Sequence, residues 1–178
     1  YSSVELDLPK AGSCFVVFRQ DKQQSNIEKV TYAHTQPVAG KWMLQFPEGW
    51  GTPATLEVEE LAPWCNLPMS DEGKAFSGTV TYTTSFDWKN DAKQVLLDLG
   101  KVNMIAEVFV NDQKIRTLWC SPYTVDISNF VKSGENKLQV KVVSTWFNRL
   151  AFDASLPETE RKTWTIEGPK AGAQLKEY

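Results

Sequence analysis

FSGTVTYTTSFDW, residues 76–88, places Val80, Tyr82, Thr84, Phe86 and Trp88 at every second position. Successive side chains on a strand point to opposite faces, so a period of two predicts a half-buried strand. The period returns downstream. AEVFVNDQKI (106–115) sets Ala106, Val108 and Val110 in phase before Asn111-Asp112, a turn-type pair. SPYTVDISNF (121–130) does the same with Tyr123, Val125 and Ile127, and KSGENKLQVKVV (132–143) with Leu138, Val140 and Val142 after a Ser-Gly turn. Four strands with closely spaced turns predict an all-β sandwich or barrel.

Toward the N-terminus, GKWMLQF (40–46) alternates Trp42, Leu44 and Phe46, and ATLEVEEL (54–61) carries Leu56 and Val58 in phase. Both read as strands. The Gly/Pro loop PEGWGTP (47–53) between them carries Trp50, and APWCNLPMSDEGKAF (62–76) is an irregular connection with a turn at Glu72-Gly73. Residues 1–35 hold the strand-like pieces VELDL, SCFVVFRQ and IEKVTYAH, with DKQQSN as a hairpin loop. These leading strands are expected to close a preceding β-domain, and residues 36–178 to form the main β unit. After Trp146 the alternation stops. FNRLAFDASLPETERKTWTIEG (147–168) reads as loop, with one helical turn at Pro157–Arg161, where proline suits a helix start, and with TWTI as a last short strand.

A chain of 178 residues fits one domain plus a short leading piece. A formal net charge of −3 without a basic stripe argues against a nucleic-acid partner held by its phosphates. No apolar run approaches the ~20 residues that span a bilayer, and YSSVELDLPKAG lacks the basic and apolar regions of a signal peptide. Neither nucleic acid nor membrane is therefore expected as a partner. Cys14, Cys65 and Cys120 are scattered and odd in number, which favours small buried thiols and leaves one disulfide open. They form no CxxC motif and no zinc spacing.

The phrases GKW…F, ELAPW, FSGTVTYTTSF, VLLDLGKV…AEVFVN and LWCSPYTVDISNFVKSGENKLQVKVVSTW together resemble the jelly-roll sugar-binding domain of family 2 glycosidases. AGSCFVVF, LWCSPYTVDIS and TWFNRLAFDASLPETERKTWT more closely resemble the C-terminal region of glycoside hydrolase family 106, the α-L-rhamnosidases. Ala151-Phe152 stands where that pattern has a smaller Ile-Gly pair. The resemblance implies a galactose-binding-domain-like jelly-roll β-sandwich with a short leading β segment. It also implies a catalytic barrel outside this chain, and a periplasmic or secreted location. Expected partners are carbohydrate, in particular rhamnose-containing polysaccharide, and that barrel.

No catalytic residue is assigned. A (β/α)₈ barrel takes ~250 residues, more than the chain holds. Glu57 and Glu59 share the polar face of one strand, Glu158 and Glu160 suit a first helical turn, and His34, the only histidine, has no nucleophile motif near it. Binding is the more plausible activity, since sugars need an aromatic platform beside planar polar groups. Trp119 and Tyr123 share the loop LWCSPY, while Trp146, Asn148 and Arg149 form a second cluster; these five are the candidate carbohydrate contacts. A salt bridge to Asp153 is the competing role for Arg149, and docking on the barrel is a further one for both loops. No cofactor is expected. Asp87, Asp91, Asp98, Asp126 and Asp153 leave room for a structural calcium, but their spacing suits turn capping better. The expected function is thus a non-catalytic accessory sandwich, with an independent carbohydrate-binding module or a ligand-free scaffold as alternatives.

Overall fold

The computed structural model describes residues 3, 4, 6, 8, 12–18, 34–89 and 92–177. The chain divides into two compact units, 1–38 and 39–178. In the first, the described residues carry no strand, so VELDL and SCFVVFRQ are not strands where they are described. A strand exists through a partner's hydrogen bonds, and apolar composition alone does not supply one. The expected hairpin loop at 21–26 and nearly all of IEKVTYAH lie outside the described residues.

The second unit is the expected all-β jelly-roll sandwich. Its strands are β1 (Trp42–Gln45), β2 (Thr55–Val58), β3 (Thr79–Trp88), β4 (Leu96–Asp98), β5 (Ile105–Val110), β6 (Gln113–Leu118), β7 (Thr124–Asp126) and β8 (Gly134–Val143). Six form one antiparallel sheet in the order β2-β1-β3-β8-β5-β6, and β4 pairs with β7 in a second. The opening sequence is its spine: β3 runs beside β8 over ten residues, from Thr79 opposite Val143 to Trp88 opposite Gly134. In that register Val80, Thr84 and Phe86 share a buried face with Leu138 and Val140, and β5 adds Ala106, Val108 and Val110. The second sheet contributes Leu97 and Val125. Each such Val or Leu adds about 1.5–3 kcal/mol on full burial, so the period-two positions are where the fold is stabilised.

The β5–β6 hairpin turns on Asn111 and Asp112, both with positive φ (50° and 65°), the geometry that Asn and Asp tolerate best among non-glycine residues. Asn111 is then held by Asn136. This fully buried amide accepts from Asn111 Nδ2 (2.9 Å) and the Lys132 amide (2.8 Å), and donates to the Lys132 and Gly134 carbonyls (both 2.8 Å).

Several elements differ from expectation. Glu72-Gly73 lies within a short helix, α1 (Asp71–Lys74), rather than in a turn. The stretch after Trp146 opens with α2 (Phe147–Ala154), where loop was expected. The turn at Glu158–Glu160 is 3-10, with Pro157 as its N-cap. TWTI is no strand: the Thr163 amide is spent on the Asp153 carboxylate at 2.6 Å instead of a strand neighbour. The thiols are all free; Cys14 and Cys120 are exposed and Cys65 is half-buried, contrary to the buried thiols expected.

Candidate functional site

Four chain-distant segments meet around Arg149. The 47–53 loop lies against α1. Ser70 caps that helix by accepting from the Gly73 amide (3.1 Å) and also donates to the Gly51 carbonyl (2.9 Å). Gly51 has φ +74°, and a Cβ there would fall 2.6–2.8 Å from three carbons of the Glu72 side chain. Only glycine both adopts that backbone and lets Glu72 lie across the loop.

Glu72 Oε1 accepts from Arg149 Nη1 (2.9 Å) and from Lys162 Nζ (2.8 Å), and Lys162 Nζ also donates to the Gly49 carbonyl (2.6 Å). Beneath this surface pair, Arg149 holds Asp153 with two parallel bonds, Nε to Oδ2 (3.1 Å) and Nη2 to Oδ1 (2.5 Å). Asp153 Oδ2 accepts in addition from the Thr163 amide (2.6 Å) and hydroxyl (2.7 Å). Both Arg149 and Asp153 are 0% exposed. They sit one turn apart on α2, which puts them on one face. The guanidinium lies 5.3 Å from the ring centres of Trp50 and of Phe152, a cation–π distance for each. Phe152 thus supplies a helical aromatic against the buried cation. Trp50 in turn meets Trp146 edge to face at 5.6 Å.

Two cations and two carboxylates cancel. The Glu72 carboxyl is held below its ordinary range, first by the hydrogen bond from Lys162 and then by that from Arg149. For Asp153, burial is the largest single influence and works to raise its pKa. The bonds from Arg149 and Thr163, with the Arg149 charge, together outweigh burial and leave the carboxyl below its usual value. Both are therefore ionised at neutral pH and accept without donating.

The five sequence candidates separate. Arg149 takes the competing role, the ion pair with Asp153, and presents no surface to solvent. Asn148 is 3% exposed and bridges the main chain of Lys176, donating from Nδ2 to its carbonyl and accepting its amide at Oδ1, each at 2.8 Å. That clamp secures a C-terminal strap, also tied by Gly172 to Ser155 (3.2 Å) and by Glu177 to Asn66 (3.3 Å) and Asn103 (3.1 Å). Tyr123 is buried with its hydroxyl on the Met104 carbonyl (2.7 Å), whereas Trp119 is 73% exposed, so the two form no shared platform. Trp146 is half exposed. The surface that does assemble combines Trp146 and Trp50 with Glu72 and Lys162. Neither charged residue carries a local sequence signal, because their closeness comes from chain segments 90 positions apart. Asp98 and Asp126 cap turns at Gly100 and Ser128. Among the described residues no group of three or more His, Cys, Asp or Glu side chains is placed to hold a metal ion.

Residues 73–174 match the family described as glycosyl hydrolase 2 galactose-binding domain-like. The chain belongs to this family. Over 143 residues this galactose-binding-like domain is 41% identical to a Formosa agariphila protein named "Putative beta-glucuronidase", covering 76% of the domain chain and 12% of that protein. It superposes on a rhamnosidase from Novosphingobium sp. PP1Y with a TM-score of 0.72 and 30% identity, over 86% of this chain and 15% of that one. A β-glucuronidase from Ruminococcus gnavus, in complex with D-glucuronic acid, shares the fold at a TM-score of 0.54 and 20% identity, over 66% of this chain and 23% of the other. The galactose-binding-like chain thus spans between 12% and 23% of the length of each.

Proposed function

We propose that this galactose-binding-like domain is a non-catalytic accessory sandwich of a larger glycoside hydrolase of α-L-rhamnosidase type, with the catalytic domain outside this chain. One comparison carries the proposal: 86% of the chain superposes on 15% of a rhamnosidase at 30% identity, the relation of one accessory domain to a whole enzyme. The local chemistry supports it. Glycoside hydrolysis needs a carboxyl pair in which one member donates a proton. Asp153 is sealed from solvent, and Glu72 is held ionised by Lys162 and Arg149, so neither suits the acid role. Trp164 (79% exposed) and Ile166 (92% exposed) follow the clamped Thr163, an apolar display suited to cover by another domain of the parent enzyme. The natural substrate of that enzyme would be a rhamnose-containing polysaccharide. Turnover of aryl α-L-rhamnosides and aryl β-D-glucuronides tests this. The isolated chain is expected to give none, and the parent polypeptide is expected to cleave the rhamnoside. Turnover by the isolated chain that tracks its own substitutions would overturn the accessory role, and glucuronide cleavage alone by the parent would overturn the rhamnosidase type.

A further inference from the structure

We propose that SCFVVF, residues 13–18, is an interior strand of a β-sheet whose other strands belong to the parent enzyme outside this chain; this rests on the accessory-domain role above and names what the leading unit joins. Phe15 is 99% exposed, Val16 44%, Val17 68% and Phe18 72%, and none of the four lies in a strand. A run of apolar side chains set in water marks a surface that another body covers. The superposition on the rhamnosidase bears on where that cover lies. It takes in 86% of the chain, whereas residues 39–178 make up under four-fifths of it, so the match reaches into the leading unit. Part of that unit therefore has a counterpart in an enzyme of which this chain matches only 15%. The remaining length of such an enzyme is the source of the missing strands.

The residue pattern says what kind of cover fits. Successive side chains on a strand take opposite faces. Paired as one, Phe15 and Val17 would share one face, and Cys14, Val16 and Phe18 the other. Both faces are then apolar. Strand β8 differs: it buries Leu138 and Val140 and sets Lys137, Gln139 and Lys141 on the opposite face, since only one side of its sheet is covered. A run apolar on both faces suits a strand packed above and below, in the interior of a sheet. VELDL is of the other kind, with Val4, Leu6 and Leu8 against Glu5 and Asp7, and suits the half-covered margin of the same sheet. Val4, Leu6 and Leu8 are likewise exposed. Two strands alone are at best marginally stable in water, so the sheet is completed by main-chain pairing with strands from elsewhere. An uncharged run with open main-chain groups also invites pairing with its own copy, which makes a second copy of this chain the competing occupant.

Amide hydrogen exchange of residues 13–18, followed by mass spectrometry in this chain alone and in the parent polypeptide, tests the assignment. In the chain alone, exchange is expected at the rate of an unstructured peptide at every protein concentration. In the parent it should be at least a hundredfold slower. Phe15→Asp and Phe18→Asp should each cut that protection at least tenfold, because an interior strand has no face free for a charge. In the chain alone both variants should melt as the wild type does, since both rings are exposed there. Equal exchange in chain and parent overturns the proposal. So does protection in the chain alone, and protection that grows with its concentration assigns the segment to a second copy. A loss confined to one of the two variants overturns the interior placement. Where a variant parent fails to fold, the wild-type comparison still decides whether the segment is paired. The turnover assay of the preceding section reads activity and is independent of exchange at 13–18, so failure of the strand and failure of the accessory role are told apart.

Discussion

Arg149 and Asp153 face each other from successive turns of α2 with two parallel hydrogen bonds, and both side chains are sealed from water. Removing one partner leaves a buried, uncompensated charge. Asp153→Ala is therefore expected to destabilise the domain by about 3–5 kcal/mol, and Arg149→Met by a similar amount. Urea unfolding of both variants and of the double variant checks this. The double variant should be less destabilised than the sum of the two, because neither charge is then left alone.

The same pair shapes the acid limb of stability. Asp153 and Glu72 both have carboxyls held below their ordinary range in the folded state. A depressed folded pKa adds stability that is complete above the unfolded value, about 4, and is lost as pH falls through the folded value. Stability should be level from neutrality down to about pH 5 and fall below it. In Asp153→Asn that acid slope should be shallower, as followed by urea midpoints across the range.

Asn136 offers a test with the opposite sign. Its Nδ2 donates to two carbonyls, so Asn136→Asp would aim a carboxylate oxygen at both. The new carboxyl would have a raised folded pKa, and its protonated form would be the better fit. Destabilisation of about 1–3 kcal/mol is expected at neutral pH, shrinking as pH falls. Thermal unfolding at neutral and acid pH, compared with the wild type, measures the difference.

Gly51→Ala probes the loop that carries Trp50. Its Cβ would overlap Glu72 and its φ of +74° disfavours any side chain, so Glu72 must leave its place across the loop. A stability loss of about 1–2 kcal/mol is expected from the backbone alone. Gly134→Ala, where a Cβ would meet nothing within 4 Å, should lose only the backbone share, and thermal unfolding of both variants measures the difference.

The strands were legible because burial on a sheet repeats every two residues, and Val80, Val108 and Leu138 each sit where that period puts them. Tyr123 is instructive. It lies in phase with the buried Val125 and Ile127, so the alternation that revealed the strand already placed its ring inside, against its choice as a ligand contact. Helix α2 was not legible, because it lasts eight residues and its N-cap, Trp146, makes no side-chain capping bond. The one local sign was Arg149 four residues before Asp153, a helical spacing noticed only as a salt bridge. Glu72 and Lys162 had no local sign at all. Their meeting depends on the fold bringing α1 beside the segment after α2, and no period or motif encodes a contact across that distance.

Asn148 grips the C-terminal strap through its main chain, since both atoms that it engages belong to the peptide groups of Lys176. A peptide group is the same in every residue. Substitution at position 176 can therefore leave this clamp intact, provided the newcomer keeps an amide hydrogen, and costs only the cation–π contact of the Lys176 ammonium with the Phe147 ring at 4.2 Å. Asn148 itself has no such latitude, because only a carboxamide offers a donor and an acceptor side by side at that reach. The two halves of one contact are thus under unequal selection, strict on the helix and lax on the strap.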